Sequence, residues 1–170
     1  MKLMIASDIH GSSYYCRKMI GAFQKENADR LLLLGDILYH GPRNDLPKDY
    51  DPKEVIAMLN PMKQKLLCVR GNCDTEVDQM VLEFPILADY CLLELDGQTI
   101  FASHGHHHNP QCPPPLKSGD ILLNGHTHIP ANKDMGTYTY MNPGSVSIPK
   151  DGSAHGYMIY DKGFFWKELV

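Results

Sequence analysis

Long apolar runs are missing from this 170-residue chain, and no stretch approaches the length needed to cross a bilayer. The opening residues, MKLMIASD, hold too few apolar positions before Asp8 for a secretory signal core. Five cysteines, Cys16, Cys68, Cys73, Cys91 and Cys112, form no CxxC pair, which argues against both a zinc knuckle and a disulfide framework. Reduced thiols in a cytoplasmic protein are the expectation. Runs of Lys or Arg are absent as well, and the net charge is −4, so binding of extended nucleic acid is not expected. A small phosphate-bearing substrate stays compatible, because bound metal ions would supply local positive charge. No linker, repeat or low-complexity segment interrupts the chain, and its length fits one domain over residues 1–170.

What the chain does have is histidine. Of nine, all but His40 and His155 fall in three places: His10, the cluster SHGHHH ending at His108, and GHTH with His126 and His128. The apolar pattern explains where these sit. LMIAS, RLLLLGD and KLLCVRGN read as buried strands. Between them lie a helix over 13–27, capped by Ser12 or Ser13, and a helix near 52–60 with Pro52 in its first turn. That order predicts parallel strands joined by right-handed crossovers. In the second half, CLLELDGQTIFASHG reads as a hairpin turning at Asp96-Gly97. ILLNGHTH, MGTYTYMNPGSVSI and HGYMIYDKGFFWKELV continue as mainly antiparallel strands. The expected fold class is α/β, a two-sheet β-sandwich flanked by helices.

Nearly every one of these strands ends in acidic, amide or imidazole residues: ASDIHG, LLGD, VRGNCD, ASHGH and LNGHTH. Strand ends along one edge of such a sheet are where ligands bind. Asp8 and His10 are two apart, as are His126 and His128, and extended backbone would bring each pair to one face. Gly35, Gly71, Gly105 and Gly125 beside them permit tight turns or close backbone approach. Carboxylate, imidazole and amide oxygen together, without a thiolate majority, suit Mn, Fe, Zn or a similar divalent ion. Seven such residues suffice for two ions if one carboxylate bridges, and metals roughly 3.5–4 Å apart are the usual arrangement for phosphate-ester hydrolysis.

The ordered series DIHG, GD, GNCD, SHGH and GHTH resembles the calcineurin-like metallophosphoesterases, and more narrowly the YfcE group of small bacterial phosphodiesterases. HGPRN, EVDQM and NPGSVSIPK also read as that group's sequence, so the resemblance spans residues 2 to about 160. It implies a two-sheet sandwich with helices outside and a two-metal phosphodiesterase acting on small diesters. One metal would be held by Asp8, His10, Asp36 and His128. The second would be held by Asp36, Asn72, His104 and His126, with Asp36 bridging. A hydroxide between the ions would attack phosphorus in line. Manganese is the expected ion, with iron, zinc, cobalt or nickel as alternatives. In the broader family the residue after the metal-binding Asn is a His that steadies the transition state or protonates the leaving oxygen. Here it is Cys73, and Asp74 stands where the family has Asp or Glu.

Several residues carry two readings. Taken singly, Asp8-x-His10 reads as a capping Asp and a surface His, Asp36 as a helix N-cap, and Asn72 as a turn residue. Cys73 could be the replaced His, with substrates narrowed to diesters with good leaving groups. Alternatively, His106 could supply the missing acid, point toward substrate, or orient His104. Arg43 could grip a phosphate or simply be an exposed loop residue. His107 and His108 read as an exposed polar loop. Cys16, Cys68, Cys91 and Cys112 read as packing residues. Phosphomonoesterase activity, an inactive interaction scaffold, and a homo-oligomer built on the apolar C-terminal hairpin stay open beside the leading reading.

Overall fold

A computed structural model describes residues 1–170. The strands and helices of the first half follow the expected order. β1 (Leu3–Ala6), β2 (Arg30–Leu33) and β3 (Leu66–Cys68) pair in parallel. The crossovers carry α1 (Ser13–Glu26) and α2 (Pro52–Leu59), the latter followed by a short 3-10 turn. Ser12 Oγ accepts from the Tyr15 amide and Asp51 from the Glu54 amide, which starts each helix where the sequence has its capping residue. A third helix, α3 (Glu76–Val81), was not expected. Thr75 and Asp78 close a reciprocal capping box at its start, and that box substitutes for an apolar face, because α3 buries no residue.

The second half contains β4 (Tyr90–Leu95), β5 (Gln98–Ser103), β6 (Ile121–Leu123), β7 (Pro130–Asp134), β8 (Thr139–Pro143), β9 (Gly156–Tyr160) and β10 (Phe164–Glu168). Two five-stranded sheets result, ordered β10-β9-β1-β2-β3 and β4-β5-β6-β8-β7. The expectation of a mainly antiparallel second half fails for the second sheet. β5, β6 and β8 are parallel neighbours, because the chain returns to the same sheet edge between them through the SHGHHH and GHTH loops. Only β4–β5 and β7–β8 are antiparallel there, the former across Asp96-Gly97, both at positive φ as a tight hairpin requires.

The strand period of two divides the core. Leu3, Ile5, Leu32 and Leu34 face Ile100, Ala102, Ile121 and Leu123 between the sheets. Met4, Ala6, Leu31 and Leu33 face Met19, Phe23, Val55 and Leu59 from α1 and α2. Cys16 is fully buried, and Cys68 and Cys91 are half-buried against these clusters. Cys112 is exposed, which corrects its reading as a packing residue: it sits in the loop between β5 and β6, where its backbone bridges to Asn109. No helix is long and apolar enough to cross a membrane.

Glu26, at the end of α1, ties the helix to β9, β10 and the residue before β1. Its carboxylate accepts from Lys167 Nζ at 2.6 Å, Tyr157 OH at 3.2 Å and Lys2 Nζ at 3.1 Å. Lys167 above all, with Lys2 and Tyr157 aiding, holds the carboxyl at about 2, although burial opposes the charge. Because the folded pKa is depressed, the stabilisation is present above about 4.5 and is lost as pH falls toward 2. Glu26→Gln is therefore expected to cost about 1 kcal/mol at neutral pH, discounted for the solvent around both lysines. Thermal melts of both proteins from pH 7 to 2 should show the gap closing in that acid window.

Candidate metal centre

The polar residues that follow β1, β2, β5 and β6 meet at one end of the sandwich. The backbone there is not extended. β1 ends at Ala6, and Asp8 and His10 have φ of 59° and 49°. Asp36, His126 and His128 are also left-handed, at 55°, 65° and 61°. The expectation that extended strand aligns the i, i+2 pairs is therefore corrected. Left-handed residues bend the chain sharply, and amides at 8, 10 and 11 are pinned to carbonyls of Gly35, Asp36 and Ile37. Asp, Asn and His tolerate this conformation best, yet each costs on the order of 1 kcal/mol. Such strain concentrated at one locus points to a site rather than to packing.

Close backbone approach makes the arrangement possible. A Cβ on Gly125 would collide with Ser7 Oγ, and one on Gly71 with Asp36. Asp74, 1% exposed, accepts from the amides of Asp36, Ile37 and Gly71 at 2.8, 2.9 and 2.7 Å and so joins the β2 and β3 loops. Ser145 and Ser147 both donate to the Asp8 carbonyl at 2.8 Å. Asn142 holds the GHTH turn by donating to the Gly125 carbonyl at 2.7 Å. The sequence reading missed these supports, although they lie in the quoted segments GNCD and NPGSVSIPK.

Two groups of side chains converge. In the first, His10 Nε2 and His128 Nε2 lie 3.5 and 3.2 Å from Asp8 Oδ1 and 3.3 Å from each other. In the second, His104 Nε2 lies 3.3 Å from Asp36 Oδ2, 3.0 Å from Asn72 Oδ1 and 3.2 Å from His126 Nδ1. Asp36 Oδ2 is 3.7 Å from His10 Nε2, which sets this carboxylate between the groups. Thus Asp8 and His10 do converge, but His126 and His128 separate, one to each group.

The hydrogen-bond accounting tests what belongs here. His10, His104 and His128 each direct Nδ1 at a backbone carbonyl, those of Tyr39, Leu34 and Ile148, at 2.7, 2.6 and 2.7 Å. Those contacts put the proton on Nδ1 and leave each Nε2 as a lone pair. Asp8 Oδ1, fully buried, has no hydrogen-bond donor. The first group is therefore a set of acceptors facing one another, which only a proton or a cation can relieve. In the second, His104 Nε2 faces the oxygens of Asp36 and Asn72, with His126 Nδ1 as its remaining neighbour. Burial opposes charge on these groups, but the imidazoles hold Asp8 well below the usual carboxylate range and Asp36 below it. Conversely, Asp8 and Asp36 outweigh burial to raise His10, and to raise His104 to about 9. The same field that draws a proton onto His104 attracts a metal. Buried carboxylate, imidazole and amide oxygen are the donor set of a divalent transition ion, so the residues fit one.

The remaining expected residues lie around this centre. A cleft of about 400 Å³ above it is lined by His10, Asp36, Asn72, His126, His128, Cys73, and at its rim Arg43 and Lys150. Lys150 was not singled out from the sequence. Cys73 donates its amide to Asp36 Oδ1 at 2.8 Å, while burial and then Asp36 push its thiol up to about 12. His106 does not line the cleft; its ring centroid stands 5.4 Å from that of His104 and 6.3 Å from that of His126, without a hydrogen bond to either. Burial and the neighbouring His104 lower its pKa to about 4. His107 is exposed, as expected, but His108 is not simply loop: its ring packs edge-on against Phe101 at 5.2 Å.

Comparison with known proteins agrees with this architecture. Residues 1–162 match the model of the calcineurin-like phosphoesterase superfamily domain. The chain is 47% identical to phosphodiesterase YfcE of Escherichia coli K12 over 161 residues, covering 95% of this chain and 88% of that protein. It is 27% identical over 152 residues to a phosphodiesterase of Methanocaldococcus jannaschii, covering 85% and 83%. The solved structure of the Escherichia coli YfcE phosphoesterase superposes over the whole of both chains with a TM-score of 0.93 at 42% identity. On its sequence, its fold and the metal-binding chemistry of its strand-end cluster, the chain belongs to the calcineurin-like phosphoesterase superfamily.

Proposed function

We propose that this chain is a metal-dependent phosphodiesterase hydrolysing small phosphodiesters, with its 170 residues acting as one catalytic domain in the cytoplasm. The observation that carries the reading is the pair of adjoining carboxylate–imidazole clusters with Asp36 between them, together with the buried Asp8 Oδ1 that has no donor. Asp8, His10, Asp36 and His128 would hold one ion, and Asp36, Asn72, His104 and His126 the other. Manganese is the expected metal, and iron, zinc, cobalt or nickel satisfy the same donors. When bound, such ions lower the pKa of water and neutralise charge on phosphoryl oxygens.

The chain's own residues supply the rest. Arg43 and Lys150 at the rim can each pair with a phosphoryl oxygen, Arg43 through two parallel N–H bonds. Carbonyls of Tyr39, Leu34 and Ile148 fix the imidazole tautomers so that each Nε2 faces inward. Asn72 directs Oδ1 at His104 while its amide nitrogen lies 3.3 Å from Cys73 Sγ. The Cys73 thiol is uncharged at neutral pH and a poor proton donor to a leaving alkoxide. Nor does His106, with its low pKa and its place outside the cleft, replace that acid. This favours diesters with good leaving groups over monoesters, whose extra charge and stronger need for protonation the site does not meet. An inactive scaffold would have no use for five strained backbone positions that turn their side chains into two adjoining clusters.

Metal analysis of the purified chain, paired with hydrolysis of bis(4-nitrophenyl) phosphate and 4-nitrophenyl phosphate, tests the reading. Diester hydrolysis in excess of monoester hydrolysis, with metal bound, is expected; a metal-free, inert protein would defeat it. Cys73→His should raise monoester hydrolysis about tenfold by restoring a near-neutral acid. Unchanged rates on both esters would remove Cys73 from the specificity argument.

A further inference from the structure

The central cleft opens differently on its two sides. Past His126 and Thr127 it meets a cavity of about 590 Å³ whose lining is mixed, with His106, Asn109, Gln111 and Lys133 beside Ile129 and Met135. Past Cys73, whose side chain borders both spaces, it meets a groove of about 390 Å³ between the loop after β2 and α3. Seven of the ten groove residues are hydrophobic, among them Tyr39, Tyr50, Ile56, Val77 and Val81. Val77 is 68% exposed, Val81 43% and Tyr39 42%, so the core does not account for them.

The walls are braced in place. The His40 ring stands edge-on to Tyr39 at 4.8 Å and to Tyr50 at 5.2 Å. The Tyr39 carbonyl receives His10 Nδ1, which couples the groove wall to the metal centre. Asp78 is the only charged residue lining the groove, and it is engaged with Thr75 in the capping box of α3. An anionic group placed there would lose water beside Asp78 without meeting a cation. An apolar group would lose nothing and cover side chains that are otherwise wet.

We propose that this groove binds an aromatic or apolar ester arm of the substrate whose phosphoryl group lies in the cleft, making amphipathic phosphodiesters the preferred class. The assignment rests on the phosphoester reading of the cleft. It also gives Cys73 a second role, since a small uncharged side chain at the junction leaves the path from phosphate to groove open.

Calorimetric titration of the Mn²⁺-loaded chain with phenylphosphonate and methylphosphonate separates arm from phosphoryl group without a leaving-group effect. Burial of the ring should make phenylphosphonate bind about tenfold tighter. The double variant Val77→Gln, Val81→Gln should erase that preference and leave methylphosphonate affinity within about twofold, because both positions are exposed and the change is neutral. Equal affinities in the unaltered chain, or a preference that survives in the variant, would overturn the groove while leaving the cleft reading intact. Failure of both phosphonates to bind would overturn both. Sedimentation velocity gives the competing occupant: a dimer that falls apart in the variant would assign the patch to a second copy of the chain. If the variant does not fold, an alkylphosphonate series on the unaltered chain decides, affinity rising with chain length in support and a flat series against.

Discussion

Asp36→Asn should abolish diester hydrolysis, by at least about 10³-fold, while leaving the fold intact. The substitution keeps an oxygen for the Cys73 amide, which Asp36 Oδ1 accepts at 2.8 Å. It places an NH₂ where Oδ2 now stands, 3.3 Å from His104 Nε2 and 3.7 Å from His10 Nε2. That NH₂ donates to the Nε2 lone pair of His104 or His10. The variant would therefore lose the anionic ligand proposed to be shared and fill that space with hydrogen, at little cost to the metal-free protein. Losing several kcal/mol of charge stabilisation corresponds to a rate loss of about three orders of magnitude. On the two-ion proposal, bound metal should fall from two equivalents to one or none, and the rise in Tm on adding Mn²⁺ should shrink, because a ligand that no longer binds the native state no longer stabilises it. Hydrolysis and metal content both at the unaltered level would refute the assignment of Asp36 as the bridging residue.

Much of this was legible before any coordinates. The apolar runs of β1, β2, β5 and β6 are strong strand signals, and the polar residues closing them had to lie together once those strands lay side by side. What the sequence does not carry is backbone conformation at those ends. Asp8-x-His10 fits alternating strand as well as it fits two left-handed residues, and the distinction depends on amides pinned by a neighbouring loop 27 residues away. β7, PANKD, was invisible for the opposite reason: it is an exposed edge strand without apolar alternation, defined only by pairing with β8. Lys150 likewise lies in no strand, and reaches the cleft because the turn after β8 folds back over Asp8. Parallel neighbours in the second sheet could not be told from antiparallel ones, since short, fully apolar strands such as Ile121–Leu123 have no face preference to fix a direction.

Asp74 presents the second large expectation, and it separates architecture from chemistry. It touches no cleft, yet its two oxygens take the amides of Asp36, Gly71 and Ile37, all within 2.9 Å. Burial raises its pKa even against those three donors, so the carboxylate is costly to keep and is repaid only by the loops it joins. Asp74→Asn supplies one acceptor where two are needed and turns an NH₂ toward amides that also donate. Each buried amide left without an acceptor costs about 1–3 kcal/mol, so a loss of about 3 kcal/mol is expected. For a chain of this length that lowers Tm by about 10 °C. The left-handed Asp36 then loses the acceptor that holds its own amide, so metal affinity should fall although no donor to the metal has changed. A variant that melts like the unaltered chain and binds Mn²⁺ equally well would show that the two loops are held by something other than Asp74. The contrast with Asp36→Asn is the informative one: removing a charge inside the ring costs metal and spares the fold, whereas removing a charge behind it costs both, because the ring exists only while its backbone is held in a conformation that these residues resist.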